Sequence, residues 1–160
     1  MAVINADEAG ANVVPFLDTI AWSEIGPDLL AASDDGYNVL VGGELFEGYA
    51  DHPRKVVEVR EGLRSSAAGR YQILERFWDY YQQLLELPDF GPLSQDRYAV
   101  RQLKEQKALP LIYGGLFDQA VAKVANIWAS LPGAGYGQNE QRIGDLREVY
   151  IRAGGKLSDD

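Results

Sequence analysis

The amino-acid sequence predicts a fold of the α+β class, mainly helical with one small antiparallel sheet, in a single domain that spans residues 1–160. Two observations support this class. Apolar residues recur with helical spacing in several segments on either side of one strand-like region. The strand and helix patterns do not alternate along the chain, as they would in a parallel sheet. A chain of 160 residues corresponds to about one domain, which can bury a core without disulfide bonds.

The first helix is predicted over residues 12–24. Asn12 is a suitable N-cap residue, and Gly26 and Pro27 mark the end of the helix. The apolar side chains that follow helical spacing are Val13, Phe16, Leu17, Ile20 and Ala21. The stretch from there to Gly36 is predicted as a loop.

A β-hairpin is predicted over Tyr37–Phe46, with Gly42 and Gly43 at its turn, because strand-forming residues flank two adjacent glycines. Val56–Val59 is predicted as a third short strand. Glycine permits large changes in backbone dihedrals, so the hairpin is a candidate for a mobile lid over a cleft. A rigid three-stranded sheet is the alternative, and the sequence leaves it open.

The remaining elements are predicted to be helices, each with one broad apolar face. Trp78 and Trp128 lie on such faces and are predicted to belong to the core. The predicted helices span residues 71–85, 94–107 with Ser94 as the N-cap, 117–130 and 143–153.

The composition excludes several kinds of chemistry. There is no cysteine, which excludes disulfides, zinc–thiolate sites and thiol nucleophiles, and the single histidine argues against a multi-histidine metal site. We therefore expect no metal and no cofactor. The 15 Lys and Arg residues against 24 Asp and Glu residues give a net charge of −9, which disfavours binding to nucleic acid or to anionic membranes.

The first residues, Met1 to Glu8, lack the basic and apolar regions of a signal peptide. No apolar run approaches the roughly 20 residues that cross a bilayer. We therefore expect a soluble protein that is made in the cytoplasm and does not insert into a membrane.

Glu24 is the residue that does not fit the helical pattern. It stands four residues after Ile20 and seven after Leu17, where the pattern requires an apolar side chain. Burial and the negative end of the helix dipole both disfavour a carboxylate there, so both raise the pKa of Glu24 toward the range of a general acid. The alternative is that the helix ends earlier and that Glu24 is solvated.

Two other segments have weaker functional patterns. Gly69–Gln72 opens a predicted helix and could hold an anion, although it lacks the Lys-Ser/Thr ending of a phosphate-binding loop. Leu131–Gln138 is a glycine-rich turn that presents Tyr136 and Gln138, a ring and an amide suited to a sugar. A plain helix start and an ordinary turn are the structural alternatives. His52 precedes a proline in a polar loop and is predicted to be a surface residue.

Five blocks of the sequence carry a resemblance to a known family. They are Ala21–Glu24, Gly36–Phe46, Asp51–Lys55, Gly69–Gln72 and Asn126–Gln138. Together they closely resemble the endolysin family of bacteriophage lambda, in order and nearly without gaps from the first helix to the last glycine pair. Several blocks are long enough to exclude coincidence.

The resemblance implies a lysozyme-like α+β fold and a lytic transglycosylase. Such an enzyme cuts the bond between N-acetylmuramic acid and N-acetylglucosamine in peptidoglycan and leaves a 1,6-anhydromuramoyl end. The catalytic glutamate of the family closes the Ala-Trp-Ser-Glu block and is Glu24 here. The substrate-binding residues expected along the cleft are Tyr37, Asn38, Tyr71, Gln72, Tyr136 and Gln138.

The resemblance also implies partners and a place of action. The expected partner is the glycan strand of peptidoglycan, and we expect a monomer. A phage holin would release the enzyme from the host cytoplasm, after which it would act in the periplasm. Three features depart from the family pattern: Asn38 replaces an aspartate, Ala50 replaces a small hydroxyl residue, and the acidic balance is unlike that of many wall-degrading enzymes.

Two alternative functions remain open. A hydrolytic muramidase on the same substrate would need a second carboxylate, for which Glu44, Asp35 and Asp51 are the candidates. A non-catalytic glycan-binding module on the same fold is the other alternative, and the retained Glu24 argues against it.

Overall fold

The computed structural model describes residues 1–135 and 140–158, and in these ranges it contains eight helices and two strands. In chain order the elements are α1 (Ala6–Ala9), α2 (Val13–Ile25), α3 (Pro27–Ala32), β1 (Val57–Arg60), β2 (Leu63–Ser65), α4 (Glu75–Leu85), α5 (Pro92–Glu105), α6 (Leu109–Tyr113), α7 (Phe117–Val124) and α8 (Ile143–Arg152). The α+β class is confirmed, since helices dominate and the two strands form one antiparallel pair. No helix in this part of the chain is long and apolar enough to cross a membrane.

The predicted first helix is confirmed as α2, which ends at Gly26 with a positive φ of 90°. Asn12 lies at the N-cap position, but its side chain makes no capping bond. It donates instead to the carbonyl of Ile112 at 3.1 Å and so ties the start of α2 to α6. The stretch predicted as a loop contains a further helix, α3, which starts at Pro27. Proline favours such a start because its φ is already helical and its missing N–H is not needed there.

The segment predicted as a hairpin, Tyr37–Phe46, turns at the expected glycines but forms no regular strand. One antiparallel bridge joins Val39 to Leu45, and a second joins Leu40 to Ala68. Each bridge is a single residue pair, because the chain turns directly afterwards through a hydrogen bond of 2.9 Å back to the Leu40 carbonyl. The prediction of regular strands here is wrong, whereas the position of the turn is confirmed.

The antiparallel sheet lies instead between β1 and β2. Glu58 stands opposite Arg64, and Val57 stands opposite Ser65. β1 confirms the strand predicted over Val56–Val59 with a shift of one residue. β2 was not predicted from the sequence. Most side chains of both strands are exposed, so neither strand has the alternating apolar pattern of a half-buried strand.

Helix α4 begins at Glu75 rather than at Tyr71. Residues 69–73 form a turn, in which Gln72 has a positive φ of 49° that a right-handed helix does not accept. The last helix, α8, agrees with the prediction to within one residue at its C-terminal end.

Helices α5 and α7 also differ from the prediction at their ends. α5 begins at Pro92, and the Ser94 hydroxyl caps no helix but donates to Oδ1 of Asp89 at 3.0 Å. α7 stops at Val124 rather than at residue 130. α6 is a further helix of five residues, too short for its apolar spacing to be recognised in the sequence.

The core forms one cluster of buried side chains drawn from elements along the whole described chain. Trp78 and Trp128 are 0% and 1% exposed, which confirms that they are core residues. α2 packs against α1, α3, α5, α6 and α8, and its inward face includes the buried Leu17 and Ile20. The position of Glu24 at the end of α2 therefore follows from the packing of the core.

Candidate active site

Glu24 lies in the last turn of α2, two residues before Gly26, and is half-buried. Burial raises the pKa of its carboxyl because a low dielectric disfavours the charged form, and hydrogen bonds from Ser130 partly oppose the rise. No charged side chain among the described residues is a cause of the shift. The inward position and the raised pKa predicted from the helical pattern are confirmed, and both suit a general acid.

Ser130 bonds to Glu24 and is itself bonded to a second serine, Ser23. Oγ of Ser130 donates a close hydrogen bond to Oε2 of Glu24 and lies 2.7 Å from Oγ of Ser23. Both serines are buried. The backbone N–H of Ser130 also donates to the Glu24 carboxyl, and no other residue in 1–135 and 140–158 donates a hydrogen bond to it. Since a carboxylate has about four lone-pair sites, the group can still bind a ligand. Sequence reasoning missed both serines as site residues, because a hydroxyl beside a glutamate or in a turn has no local signature.

The turn after α7 places Ser130 beside Glu24. The N–H of Leu131 donates to the carbonyl of Trp128 at 3.1 Å, which closes this turn around Ser130. The indole Nε1 of Trp128 donates to the carbonyl of Tyr71 at 2.9 Å. The buried indole therefore joins the Ser130 turn to the turn that precedes α4.

Asn38 and Gln72 lie on two segments that are bonded to each other. The N–H of Gly69 donates to the carbonyl of Val39 at 2.8 Å, and Nε2 of Gln72 donates to the carbonyl of Gly69 at 2.9 Å. Oδ1 of Asn38 accepts a hydrogen bond from the N–H of Asp34 at 2.8 Å. Both side chains are half-buried. Their contact with a substrate stays a prediction, and the structure connects their segments to the turn after α7.

Tyr37 and Tyr71 lie in the interior, 2% and 1% exposed. Both hydroxyls donate to Oδ1 of Asp96, and Oδ2 of Asp96 accepts from the N–H groups of Val3 and Ile4. Burial raises the pKa of both phenols well above the ordinary range. Asp96 thus links the two tyrosines to the N-terminal residues. The burial of the tyrosines does not support the prediction that they contact a sugar directly.

Tyr136 and Gln138 lie outside the described residues, so their predicted contact with a substrate stays a prediction. The described part of this segment is closed by Glu140, whose carboxylate accepts from the N–H groups of Gly133 and Gly135 at 2.9 and 3.0 Å. These two bonds lower the pKa of Glu140, because they favour its charged form. Glu140 was not a predicted site residue, and its role here is to shape the loop.

Each candidate for a second catalytic carboxylate is paired with a cation. The pairs are Asp51–Arg54 at 2.7 Å, Glu44–Lys55 at 3.8 Å and Asp35–Arg70 at 3.5 Å. Asp35 also contacts the N-terminal ammonium. None of the three carboxylates contributes to the raised pKa of Glu24, as an adjacent carboxylate would by repulsion between like charges.

His52 is buried at 2% exposure, so its prediction as a surface residue is wrong. Nδ1 accepts a hydrogen bond from the N–H of Arg54 at 2.9 Å, and Nε2 lies 2.8 Å from the carbonyl oxygen of Ile73. The ring also packs edge-on against Phe90, with centroids 5.0 Å apart. The two polar partners explain the burial. In the described part of the chain, no three His, Asp or Glu side chains form a group that could hold a metal ion.

This fold is similar to that of solved lysozyme structures. The lysozyme of bacteriophage lambda complexed with a chitohexasaccharide superposes with a TM-score of 0.90 at 47% sequence identity, over 98% of this chain and 99% of that one. A second structure, of lysozyme from bacteriophage lambda, gives a TM-score of 0.83 at 45% identity over the same shares. The fold and the half-buried glutamate therefore define a lysozyme-like enzyme, and the predicted fold is confirmed.

Sequence comparison identifies the family. The family model described as Endolysin matches residues 14–157. The endolysin of Escherichia phage lambda is 51% identical over 144 residues, which cover 89% of this chain and 90% of that protein. The endolysin of Escherichia phage P2 is 44% identical over 166 residues, which cover 97% and 98%. The chain belongs to the endolysin family and is an enzyme that acts on peptidoglycan.

Proposed function

We propose that the enzyme is a lytic transglycosylase. It cleaves the β-1,4 bond between N-acetylmuramic acid and N-acetylglucosamine in peptidoglycan and forms 1,6-anhydromuramoyl ends, for lysis of the host cell. The observation that carries this proposal is the environment of Glu24: burial raises the pKa of its carboxyl, and no described carboxylate contributes to that shift. A site with one such group suits a reaction in which the same carboxyl first gives and then takes a proton.

Glu24 begins this reaction as a neutral acid. It donates its proton to the glycosidic oxygen while the bond from that oxygen to C1 of the muramoyl residue breaks, so N-acetylglucosamine leaves with a free hydroxyl. Positive charge develops at C1. The Glu24 carboxylate then accepts the proton of the muramoyl C6 hydroxyl while O6 bonds to C1. The acid is regenerated, and no water is consumed.

The nucleophile of this reaction belongs to the substrate. Well-oriented intramolecular reactions reach effective molarities of about 10⁵–10⁸ M, so the protein does not need a second group to activate a water. Because the nucleophile is part of the substrate, one carboxyl is sufficient for the reaction.

A hydrolytic muramidase is the competing function. Hydrolytic glycosidases use two carboxyl groups, about 5–5.5 Å apart when the mechanism retains configuration and about 6.5–9.5 Å apart when it inverts. A carboxylate at the shorter distance would raise the pKa of Glu24 by repulsion, and no described carboxylate does so. The cation pairs of Asp35, Glu44 and Asp51 give further support to the transglycosylase.

Mass spectrometry of peptidoglycan digested by the purified enzyme tests the proposal. The transglycosylase leaves muramoyl ends that are lighter than hydrolytic products by one water and that resist reduction by borohydride. A parallel digest with a hydrolytic lysozyme is the control. Fully hydrated, reducible ends from this enzyme would overturn the proposal and establish the muramidase, with its second carboxylate to be sought among Asp35, Glu44 and Asp51.

We further propose that glycan strands bind in a cleft lined by Asn38, Gln72, Tyr136 and Gln138. The chitohexasaccharide in the complex of lambda lysozyme supports a glycan site on this fold. We propose that the chain acts as a single-domain monomer and reaches the periplasm after a holin has opened the membrane, as membership of the endolysin family suggests. Lysis that proceeds in cells without a holin gene would contradict this route.

A further inference from the structure

Ser23, Ser130 and Glu24 are joined by two successive side-chain hydrogen bonds. Ser23 and Ser130 are 107 residues apart in the chain, and their Oγ atoms lie 2.7 Å from each other. They are 6% and 7% exposed, so solvent offers them few alternative partners. Ser23 makes no other side-chain hydrogen bond within the described ranges, although a serine in a helix often bonds to a carbonyl one turn earlier.

The hydrogen-bond inventory of a hydroxyl fixes the direction of this contact. A serine hydroxyl has one proton to donate and two lone pairs to accept with. When Glu24 is ionised, Ser130 uses its proton on Oε2 of Glu24. The bond between the serines then requires Ser23 to be the donor. The three side chains therefore form a directed chain in which Ser23 donates to Ser130 and Ser130 donates to Glu24.

We infer that Ser23 and Ser130 are positioning residues that orient Glu24 and stabilise its carboxylate between the two proton transfers. This inference rests on the function proposed for Glu24. The Ser130 hydroxyl uses one lone pair of Oε2, so the carboxylate keeps other lone pairs that can exchange the proton with the substrate. Hydrogen bonds to an ionised group are stronger than those to a neutral one, and an aligned chain of hydroxyls strengthens each bond. The pair therefore favours the anion over the acid.

The serine pair opposes the effect of burial on the pKa of Glu24. Burial raises the pKa of Glu24, whereas the side chain and backbone of Ser130 lower it. Without the serines the pKa of Glu24 would be higher. The carboxylate would then be a stronger base toward the C6 hydroxyl, but the carboxyl would be a weaker acid toward the glycosidic oxygen. With them, the acid and the anion are closer in free energy, as a group that must serve in both forms requires.

Among the described residues, no charged group takes the place of the serines at Glu24. Charged side chains on α2 and on the helices packed against it are engaged elsewhere, in the pairs Asp18–Arg70, Glu8–Arg97, Arg101–Glu105 and Arg147–Asp118 and in the contacts of Asp96 with two tyrosines. The other charged side chains on these helices are exposed: Asp7, Asp28, Lys104, Asp145, Glu148 and Arg152. None of them contributes to the shift at Glu24.

The test compares four variants of the full chain. Ser130→Ala removes the donor, Ser130→Cys keeps the shape with a weak donor, and Ser23→Ala removes the start of the chain. Ser94→Ala is the matched control, because Ser94 is also buried and its hydroxyl also donates to a carboxylate, far from Glu24 in sequence. Carbon-detected NMR measures the titration of the Glu24 carboxyl, and digestion of purified sacculi gives kcat and KM against pH.

Both Ser130 variants are expected to raise the pKa of Glu24, Ser23→Ala to raise it less, and Ser94→Ala to leave it unchanged. kcat is expected to fall about 10- to 100-fold in Ser130→Ala at unchanged KM, with the alkaline limb of the pH profile moved to higher pH. An unchanged Glu24 titration in both Ser130 variants would overturn the inference, as would an equal shift in Ser94→Ala. The NMR titration does not depend on turnover. It therefore tests whether the serines lower the pKa of Glu24 even if Glu24→Gln retains lysis and the proposed function is wrong.

Discussion

Replacement of Glu24 by glutamine removes the acid and the base while it keeps the size of the side chain. The amide oxygen can still accept the hydrogen bond from Ser130, so the packing at the end of α2 should persist. The amide cannot deliver a proton to the glycosidic oxygen or accept one from the C6 hydroxyl. Glu24→Gln is therefore expected to fold and to bind glycan but to lose nearly all lysis.

General acid–base catalysis contributes a factor of about 10²–10⁴, and here one residue serves both steps. We expect a loss at or above about 10⁴-fold. Lysis is measured as the fall in turbidity of Gram-negative cells whose outer membrane has been permeabilised. Glu105→Gln is a matched control, because Glu105 forms a partly exposed pair with Arg101 on another helix and should not affect turnover. Retention of more than a few per cent of activity in Glu24→Gln would refute the assignment.

The same substitution is expected to increase thermal stability. Because burial raises the pKa of Glu24 in the folded protein, the folded state holds this proton more tightly than the unfolded chain does. The resulting stabilisation is complete below the unfolded pKa and is lost as pH rises through the folded pKa. Above that pH the buried carboxylate destabilises the fold, and glutamine removes this effect. A higher melting temperature of Glu24→Gln in neutral buffer, with a smaller difference in acid, is the expected pattern.

Four further predictions concern pH, the core, metals and motion. Lysis of purified sacculi is expected to slow as pH rises through the raised pKa of Glu24, because the reaction starts from the acid; a kcat/KM that increases over this range contradicts it. Asp96→Asn is expected to destabilise the fold by about 2–6 kcal/mol, since two of the four groups that donate to Asp96 lose an acceptor at roughly 1–3 kcal/mol each. Urea unfolding measures that loss, with the exposed Asp118→Asn as a control expected to change stability by under about 1 kcal/mol. Excess EDTA is expected to leave the activity on sacculi unchanged, since His52 has both ring nitrogens engaged; a reversible loss restored by one divalent ion would refute this. Hydrogen exchange over residues 37–46 is expected to slow when a chitooligosaccharide binds, and equal protection in both states counts against a lid.

The sequence was most informative where one element has a long, regular pattern. Helix α2 has three turns of apolar residues, so its period is clear and Glu24 stands out as a polar residue on the inward side. The same reasoning placed Trp78 and Trp128 in the core. These predictions depend only on neighbours within a few residues, which is the range over which a pattern can be read.

The sequence was least informative where contacts are distant. Tyr37 and Tyr71 stand in glycine-containing segments that look alike whether the ring faces a cleft or the core. Both hydroxyls bond in the interior to Asp96, which is 59 and 25 residues away and has no local signature. The bond between Ser130 and Glu24 could not be predicted either, because 106 residues separate the two in the chain. The short helix α3 had a local signal that was missed, namely a proline at its first position.

A raised pKa does not by itself distinguish a catalytic carboxyl from a structural one. Glu24 and Asp96 are both shifted upward by burial. Asp96 is 0% exposed, and its two oxygens accept four hydrogen bonds, from two phenols and two backbone N–H groups. These bonds use all the lone pairs of the carboxylate, so it cannot also bind a substrate. Glu24 is half-buried, and among the described residues only Ser130 donates to its carboxyl, through the hydroxyl and the backbone N–H. The lone pairs that remain on the Glu24 carboxylate, rather than the pKa shift, support our proposal that Glu24 is the carboxyl that reacts.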